Sequence, residues 1–188
     1  MSKELYTRES AGRLYNPLLH DLIRGIDEGK ERPLFSQLVR EIESDDNRQA
    51  SAGTTSAKGV YQFTDATVKQ AKQRAKNLGI DSSFIDLISN DPRQWTNKEE
   101  DIMFYSKLFA HSYDKPGEVD RLLEKAILEE DRSAMQNLYY NIHHTNPDAA
   151  TIHRTLSKLY PVEDDLISGL LEEYKPSSAV SESSRVKF

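Results

Sequence analysis

A chain of 188 residues, of which 37% are hydrophobic and 30% charged, can bury one domain and still present long polar faces. The absence of cysteine excludes disulfides, thiolate metal sites and cysteine nucleophiles. A net charge of −6 argues against a general nucleic-acid binder, and no apolar run reaches the about 18 residues of a transmembrane helix.

The N-terminal residues are predicted to form an arm around one amphipathic helix. The first residues lack the apolar core of a secretory signal, so we expect synthesis in the cytoplasm without signal-directed export. Asn16-Pro17 is a typical helix start, and Gly29 can end the helix. Apolar residues recur between them at helical spacing: Leu18, Leu19, Leu22, Ile23 and Ile26. We treat residues 1–32 as this arm.

A second helix and a long polar loop follow the arm. Pro33 stands where a helix can begin, and an apolar residue recurs every fourth position up to Ile42. Residues 44–59 lose this pattern and are rich in small and polar residues. A loop of this length inside a domain is often functional. Together with the β-like fragment from Val60 to Phe63, it predicts a small β-like or loop element around residues 44–63.

Helical signals continue downstream of this element. Thr64 or Asp65 can cap a helix that ends at Gly79, and Thr96 with Glu99 predicts a capping box for the next helix. Apolar residues at helical spacing predict further helices around residues 119–127, 135–142, 152–159 and 166–174.

These elements predict a mainly α fold with one domain over residues 33–160. A C-terminal helix and a Ser-rich tail, typical of a flexible end, follow over residues 161–188.

Two glutamates near the end of the second helix are candidates for a catalytic acid. Cleavage of a glycosidic bond needs a carboxyl group that stays protonated near neutral pH, which burial beside apolar surface favours. Glu43 precedes the polar loop and lies on one helical ridge with Phe35 and Val39. Glu41 flanks the apolar stripe at a similar angle, so spacing alone does not choose between the two.

The order of residues after Glu43 adds a stronger signal. A Glu-Ser pair, Glu43-Ser44, is followed by a polar loop, by Gly59-Val60-Tyr61-Gln62, and by a threonine-containing helix start. This order resembles the signature of bacterial and phage lytic transglycosylases, which have a lysozyme-like fold and cleave peptidoglycan. Leu138-Tyr139-Tyr140-Asn141 is similar to the downstream Ala-Tyr-Asn segment of that family.

The resemblance implies a role for each matched residue. It implies that Glu43 is the single acid/base and that Ser44, Gly59, Tyr61 and Gln62 bind the sugar. It also implies that Tyr140 and Asn141 bind substrate near the acid, and that no metal or other cofactor takes part. The chain departs from the family pattern by a loop about one residue longer, by Ser56 in place of a usual glycine, and by Val60-Tyr61 in place of Leu-Met.

Two mechanisms are open for such a glutamate. In a lytic transglycosylase, Glu43 protonates the bond between N-acetylmuramic acid and N-acetylglucosamine and then deprotonates the muramyl C6 hydroxyl, which closes an anhydro ring. A muramidase needs a second carboxylate to activate water or attack the sugar. Asp45, Asp46 and Asp65 are the nearest candidates, and their spacing selects none.

A non-catalytic virion or adaptor protein that keeps the fold as a scaffold is the alternative from another class. Tyrosine- and phenylalanine-containing versions of the Gly59–Gln62 segment resemble those of phage virion enzymes. We therefore expect a wall-degrading component carried in a phage particle, acting in the bacterial periplasm or cell wall during genome entry. Its expected partners are peptidoglycan strands and other virion proteins.

Other patterns in the sequence are weaker. His143-His144 and His153 have no further ligand at a recognised spacing, and we expect surface or groove-edge side chains there rather than a metal site. Serine residues of the loop lack a nucleophile-elbow pattern. Lysine and arginine residues at positions 69–76 are typical of a solvated helix face.

Overall fold

The computed structural model describes residues 3–112, 115, 117–143 and 157. The fold is mainly helical. The described helices are α1 (Arg8–Ala11), α2 (Pro17–Asp27), α3 (Leu34–Ser44), α4 (Asp65–Leu78), α5 (Ser82–Leu87), α6 (Asn97–Phe109), α7 (Glu118–Ile127) and α8 (Arg132–Leu138). Short 3-10 turns cover Gly12–Leu14, Pro92–Gln94 and Ala110–Ser112, and a π-helical turn, Tyr139–His143, continues α8.

Several helix boundaries follow the predicted caps. The Asn16 side chain accepts hydrogen bonds from the first turn of α2, and Thr64 caps α4, which ends at Gly79. Thr96 and Glu99 form the expected capping box of α6. Apart from Ser157, which is helical, the helices predicted beyond Asn146 and the Ser-rich tail lie outside the described residues.

Helix α6 is the centre of the core. Every residue from Glu100 to Phe109 is buried except Lys107, because α2 and α4 both pack against this helix. A helix that is buried on all sides is expected to be apolar all round. Glu100 and Asp101 are therefore exceptions whose charges need partners.

The N-terminal residues pack on the rest of the fold. The apolar stripe of α2 is buried at Leu19 and Ile23, where α2 meets α6. The Asp81 amide donates to the Leu5 carbonyl at 2.9 Å. Gly79 is so close to α1 that a β-carbon there would lie 2.5 Å from the Ala11 Cα. The chain divides into two compact units, Met1–Asn146 and Pro147–Phe188, so the predicted arm belongs to the first unit.

The loop between α3 and α4 contains the small β-like element. Lys58 and Phe63 exchange two backbone hydrogen bonds of 3.0 Å, and Ser51 forms a second isolated bridge with Lys58. In the part of the chain that the structure describes, these bridges are the only β structure. None of the helices there is long and apolar enough to cross a membrane.

Candidate active site

Glu43 points inward from the last turn of α3. Its side chain is 12% exposed, and its Oε1 accepts a hydrogen bond of 2.6 Å from the Tyr139 hydroxyl. The His143 Nε2 lies 3.6 Å from the same oxygen. Glu41 is exposed. The two glutamates that the helical pattern left equivalent therefore differ in burial.

The end of α3 fixes the direction of Glu43. Asp45 ends the helix in the left-handed conformation, at φ 51°, and Asp46 is left-handed as well. The Ser44 hydroxyl lies 3.0 Å from both the Arg40 and the Val60 carbonyl oxygens. Ser44 thus ties the helix end to the loop after it. Its predicted substrate-binding role stays a prediction.

The π-helical turn brings two side chains to Glu43. Tyr139 and His143 are four residues apart, so they share one side of the turn, and the centroids of their rings are 5.6 Å apart. Tyr140 is buried and packs its ring edge-on against Tyr139. The resemblance indicated Tyr140 as the tyrosine near the acid, whereas the hydrogen bond to Glu43 comes from Tyr139. Because Tyr139 and Tyr140 are adjacent, a match to a sequence motif does not determine which of them faces α3.

Asn141 is exposed on the same turn. Its side-chain amide donates to the Asn137 Oδ1 at 2.8 Å, one turn earlier. The structure gives it this polar contact and no contact with Glu43 among the described residues. Its substrate-binding role stays a prediction.

Tyr61 is a buried residue of the core. Its side chain stacks on Phe104 at 4.2 Å between centroids, and its hydroxyl donates to Asp101 at 2.7 Å. Only 3% of the residue is exposed. Burial, followed by the Asp101 charge, raises the pKa of Tyr61 well above its usual value, so the hydroxyl stays a neutral donor. The structure thus gives the Tyr61 side chain a role in the core, and its predicted contact with the sugar stays a prediction.

Gly59 and Gln62 shape the turn around Tyr61. Gly59 has φ +77°, and a β-carbon there would approach the Pro92 Cβ to 2.8 Å, so only glycine fits without displacement. Gln62 is also left-handed, at φ 48°, and its side-chain amide donates to the Gly59 carbonyl at 2.8 Å. Both residues have a structural role, and their predicted contact with sugar is untested.

Lys107 is a site residue that the sequence analysis missed. Its ammonium donates to the His143 Nδ1 at 3.3 Å and to the His143 carbonyl at 3.2 Å. Burial lowers the pKa of Lys107 to about 8, although the charge of Glu43 acts in the opposite direction. The available signal was a single lysine in the most apolar part of α6. We call Glu43, Lys107, Tyr139 and His143 the Glu43 cluster.

His143 itself departs from the prediction of a surface or groove-edge side chain. Its side chain is 4% exposed and its ring also packs edge-on against Phe104. His144 and His153 lie outside the described residues. Among the residues described, no three histidine, aspartate or glutamate side chains are placed to hold a metal ion.

A second group of charges, which we call the arginine network, joins α3 to α6 around the buried side chains of Arg40, Glu100 and Asp101. It comprises Arg32, Arg40, Arg48, Glu100 and Asp101. The Arg40 guanidinium donates to Glu100 at 2.7 Å, Arg48 to Glu100 at 2.5 Å, and Arg32 to Asp101 at 2.8 Å. Because Arg48 belongs to the polar loop, the network also holds the loop against α6.

The three aspartates that could serve as a second catalytic carboxylate are all exposed. Asp46 accepts a 2.6 Å hydrogen bond from Arg40 and so belongs to the edge of the arginine network. Asp65 forms an ion pair of 3.4 Å with Lys58. Asp45 is the residue that ends α3. None of the three has a described contact with Glu43.

Comparison of the chain with protein-family models, with curated proteins and with solved structures found no match. The site is therefore interpreted from its own geometry and from the sequence motif.

Proposed function

We propose that the protein is a peptidoglycan lytic transglycosylase with Glu43 as its acid/base. The observation that carries this proposal is the mostly buried carboxyl group of Glu43, held by the Tyr139 hydroxyl at 2.6 Å. A reactive carboxyl needs a fixed orientation and partial exclusion of water. The side chain that the motif nominates has both properties, whereas Glu41 is exposed to water.

The proposed reaction uses one carboxyl group twice. Protonated Glu43 gives its proton to the glycosidic oxygen between N-acetylmuramic acid and N-acetylglucosamine, and the C1–O bond breaks. The resulting carboxylate takes the proton of the muramyl C6 hydroxyl, whose oxygen bonds to C1. The 1,6-anhydro product forms without water, and Glu43 is again protonated.

The ion pairs of Asp46 and Asp65 support this route over a muramidase. A hydrolase needs a second carboxylate within about 5–10 Å of the first, free to act on water or on the sugar. Asp46 and Asp65 are engaged with Arg40 and Lys58. A single-carboxylate mechanism needs none of these groups.

The setting in a phage particle belongs to the same proposal. It rests on the likeness of the Gly59–Gln62 segment to phage virion enzymes. In that setting the protein would cleave the wall locally during genome entry and would contact other virion proteins.

The experiment is digestion of purified sacculi, with mass analysis of the products. We expect 1,6-anhydromuramyl ends; reducing muramic acid ends would instead indicate a muramidase. Glu43→Gln removes the proton donor but keeps the shape, and should lower cleavage about a hundred- to ten-thousand-fold.

Glu41→Gln is the matched control, since it makes the same chemical change two residues away on an exposed side chain. It should retain activity. Wild-type protein that binds sacculi but releases no fragments would contradict the proposal and favour the scaffold alternative.

A further inference from the structure

Lys107 and His143 form a line of polar atoms that ends at Glu43. The Lys107 Nζ is 3.3 Å from the His143 Nδ1, and the His143 Nε2 is 3.6 Å from the Glu43 Oε1. Lys107 comes from α6, Glu43 from α3 and His143 from the π-helical turn. Three separate elements thus converge on one chain of exchangeable protons.

The charge on Lys107 determines the tautomer of His143. An ammonium group has three donors and no acceptor, so the Nδ1 that it contacts must be the acceptor. A neutral imidazole then carries its proton on Nε2, the nitrogen that faces Glu43. The Lys107 ammonium then presents a proton to Nδ1, and the imidazole presents its own Nε2 proton to Glu43.

We propose that Lys107 shares a proton with Glu43 and that His143 relays it between them, which sets the fraction of Glu43 that is protonated when substrate binds. The inference rests on the proposed function of Glu43. One proton moves from the Lys107 Nζ to the His143 Nδ1, while the Nε2 proton moves to the Glu43 Oε1. The products are neutral lysine, the other neutral tautomer of imidazole, and a protonated carboxyl group ready to act as the acid.

The surroundings lower the cost of this exchange. The three groups carry a lysine cation and a glutamate anion before the transfer and no charge after it, and buried charges are costly to desolvate. Arg74, on α4, adds positive charge that lowers the pKa of Lys107, in the same direction as the larger effect of burial. The Arg74 guanidinium in turn lies 3.5 Å from the His111 Nε2. The carboxylate of Glu43 opposes both effects.

The last contact has to shorten during transfer. A separation of 3.6 Å is longer than a hydrogen bond, so the imidazole and the carboxylate must approach by about 0.5 Å. Tyr139 donates to the same Glu43 oxygen and holds it on the side of His143. Lys107 and His143 are therefore positioning residues, since both act through Glu43.

The first test reads the tautomer of His143 without any turnover. In ¹⁵N-labelled protein, the side-chain nitrogens of His143 should show the Nε2–H form at pH 7 and a transition near pH 8, where Lys107 loses its proton. Lys107→Met should abolish that transition. An imidazole whose nitrogen signals do not change near pH 8, or an unchanged transition in Lys107→Met, would overturn the relay.

The second test compares the pH profiles of sacculus cleavage by three proteins. Wild type should lose activity on the alkaline side near pH 8, when the shared proton leaves the three groups. Lys107→Met removes the group that shares a proton with Glu43. The carboxyl group should then lose its proton at a lower pH, and the alkaline limb of the profile should move with it. Lys107→Arg keeps the positive charge but cannot release a proton, and its limb should move lower still.

The pattern of the three profiles separates the relay from simpler roles. A wild-type profile in Lys107→Arg would mean that positive charge alone suffices, and a pH-independent loss in both variants would mean a structural role; either result overturns the relay. If Lys107→Arg does not fold, as judged by circular dichroism, the profile and the ¹⁵N spectra of Lys107→Met decide. Full activity of Glu43→Gln would instead refute the proposed function itself.

Discussion

Two groups of charged side chains in the described residues, the arginine network and the Glu43 cluster, both include residues of α3 and α6 and are satisfied to different degrees. In the arginine network, Arg40 and Glu100 are 5% and 1% exposed, and their contact is 2.7 Å. In the Glu43 cluster, Lys107 and His143 are 3.3 Å apart, and His143 is 3.6 Å from Glu43. Charges with short, mutual hydrogen bonds hold a fold together, whereas charges with loose partners keep the freedom to exchange protons.

The largest expected change is a loss of stability when the arginine network is broken. Glu100→Gln removes the anion that Arg40 and Arg48 share and leaves the buried Arg40 guanidinium with less countercharge. Breaking one side of a buried ion pair destabilises a protein by about 3–5 kcal/mol. Urea unfolding should show a loss of this size. A loss below about 1 kcal/mol would remove the distinction between the two groups.

In the Glu43 cluster, removal of a charge is expected to stabilise the protein instead of destabilising it. The pKa of Lys107 falls from 10.5 to about 8 on folding, mainly through burial, so the ammonium costs about 3 kcal/mol of stability at neutral pH. Lys107→Met should therefore raise the free energy of unfolding at pH 7. Because a lysine with a lowered pKa is destabilising below pH 8 and neutral in both states above 10.5, the gain should shrink as pH rises between these values.

The control for this gain is the pH dependence itself. A Lys107→Met variant that is less stable than wild type at pH 7, or equally stabilised at pH 7 and pH 10.5, would show that the ammonium is as well satisfied as the arginine network.

A smaller loss of stability is expected at Tyr61, the residue of the predicted groove segment that contacts the arginine network. Tyr61→Phe keeps the stack on Phe104 but deletes the hydroxyl that donates to Asp101 at 2.7 Å. The loss of stability should be about 1–3 kcal/mol, the range for a buried acceptor that loses a donor. The kcat and KM for sacculus cleavage, measured below the unfolding temperature, should be unchanged. A rise in KM with unchanged stability would restore Tyr61 as a groove residue.

The smallest expected effect distinguishes the two adjacent tyrosines. Tyr139→Phe deletes the hydrogen bond to Glu43 and should lower kcat about tenfold, or about 1.4 kcal/mol. Tyr140→Phe is the matched control, because it leaves that hydrogen bond in place. The reverse order of activities would support the tyrosine that the resemblance indicated.

Local signals in the sequence determined most of the described helices. Caps at Asn16, Thr64 and Thr96 act within one turn of the chain, so a sequence pattern alone predicts where α2, α4 and α6 begin. The prediction omitted α5, although Asp81 caps it in the same manner, because the helix has only six residues and too little periodicity to be recognised. Glu43 and its loop were also nominated by residues adjacent to them in sequence.

Only the tertiary structure decided which side chains surround Glu43. Its partner Tyr139 is 96 residues away in the chain, and Lys107 and His143 meet across 36 residues. Tyr61 sits in the motif that predicted a groove, yet packing against Phe104 and Asp101 buries it. Helix caps depend on residues that are neighbours in sequence. Burial and the partners of a charge depend on which helices pack together, and a local sequence pattern does not determine that packing.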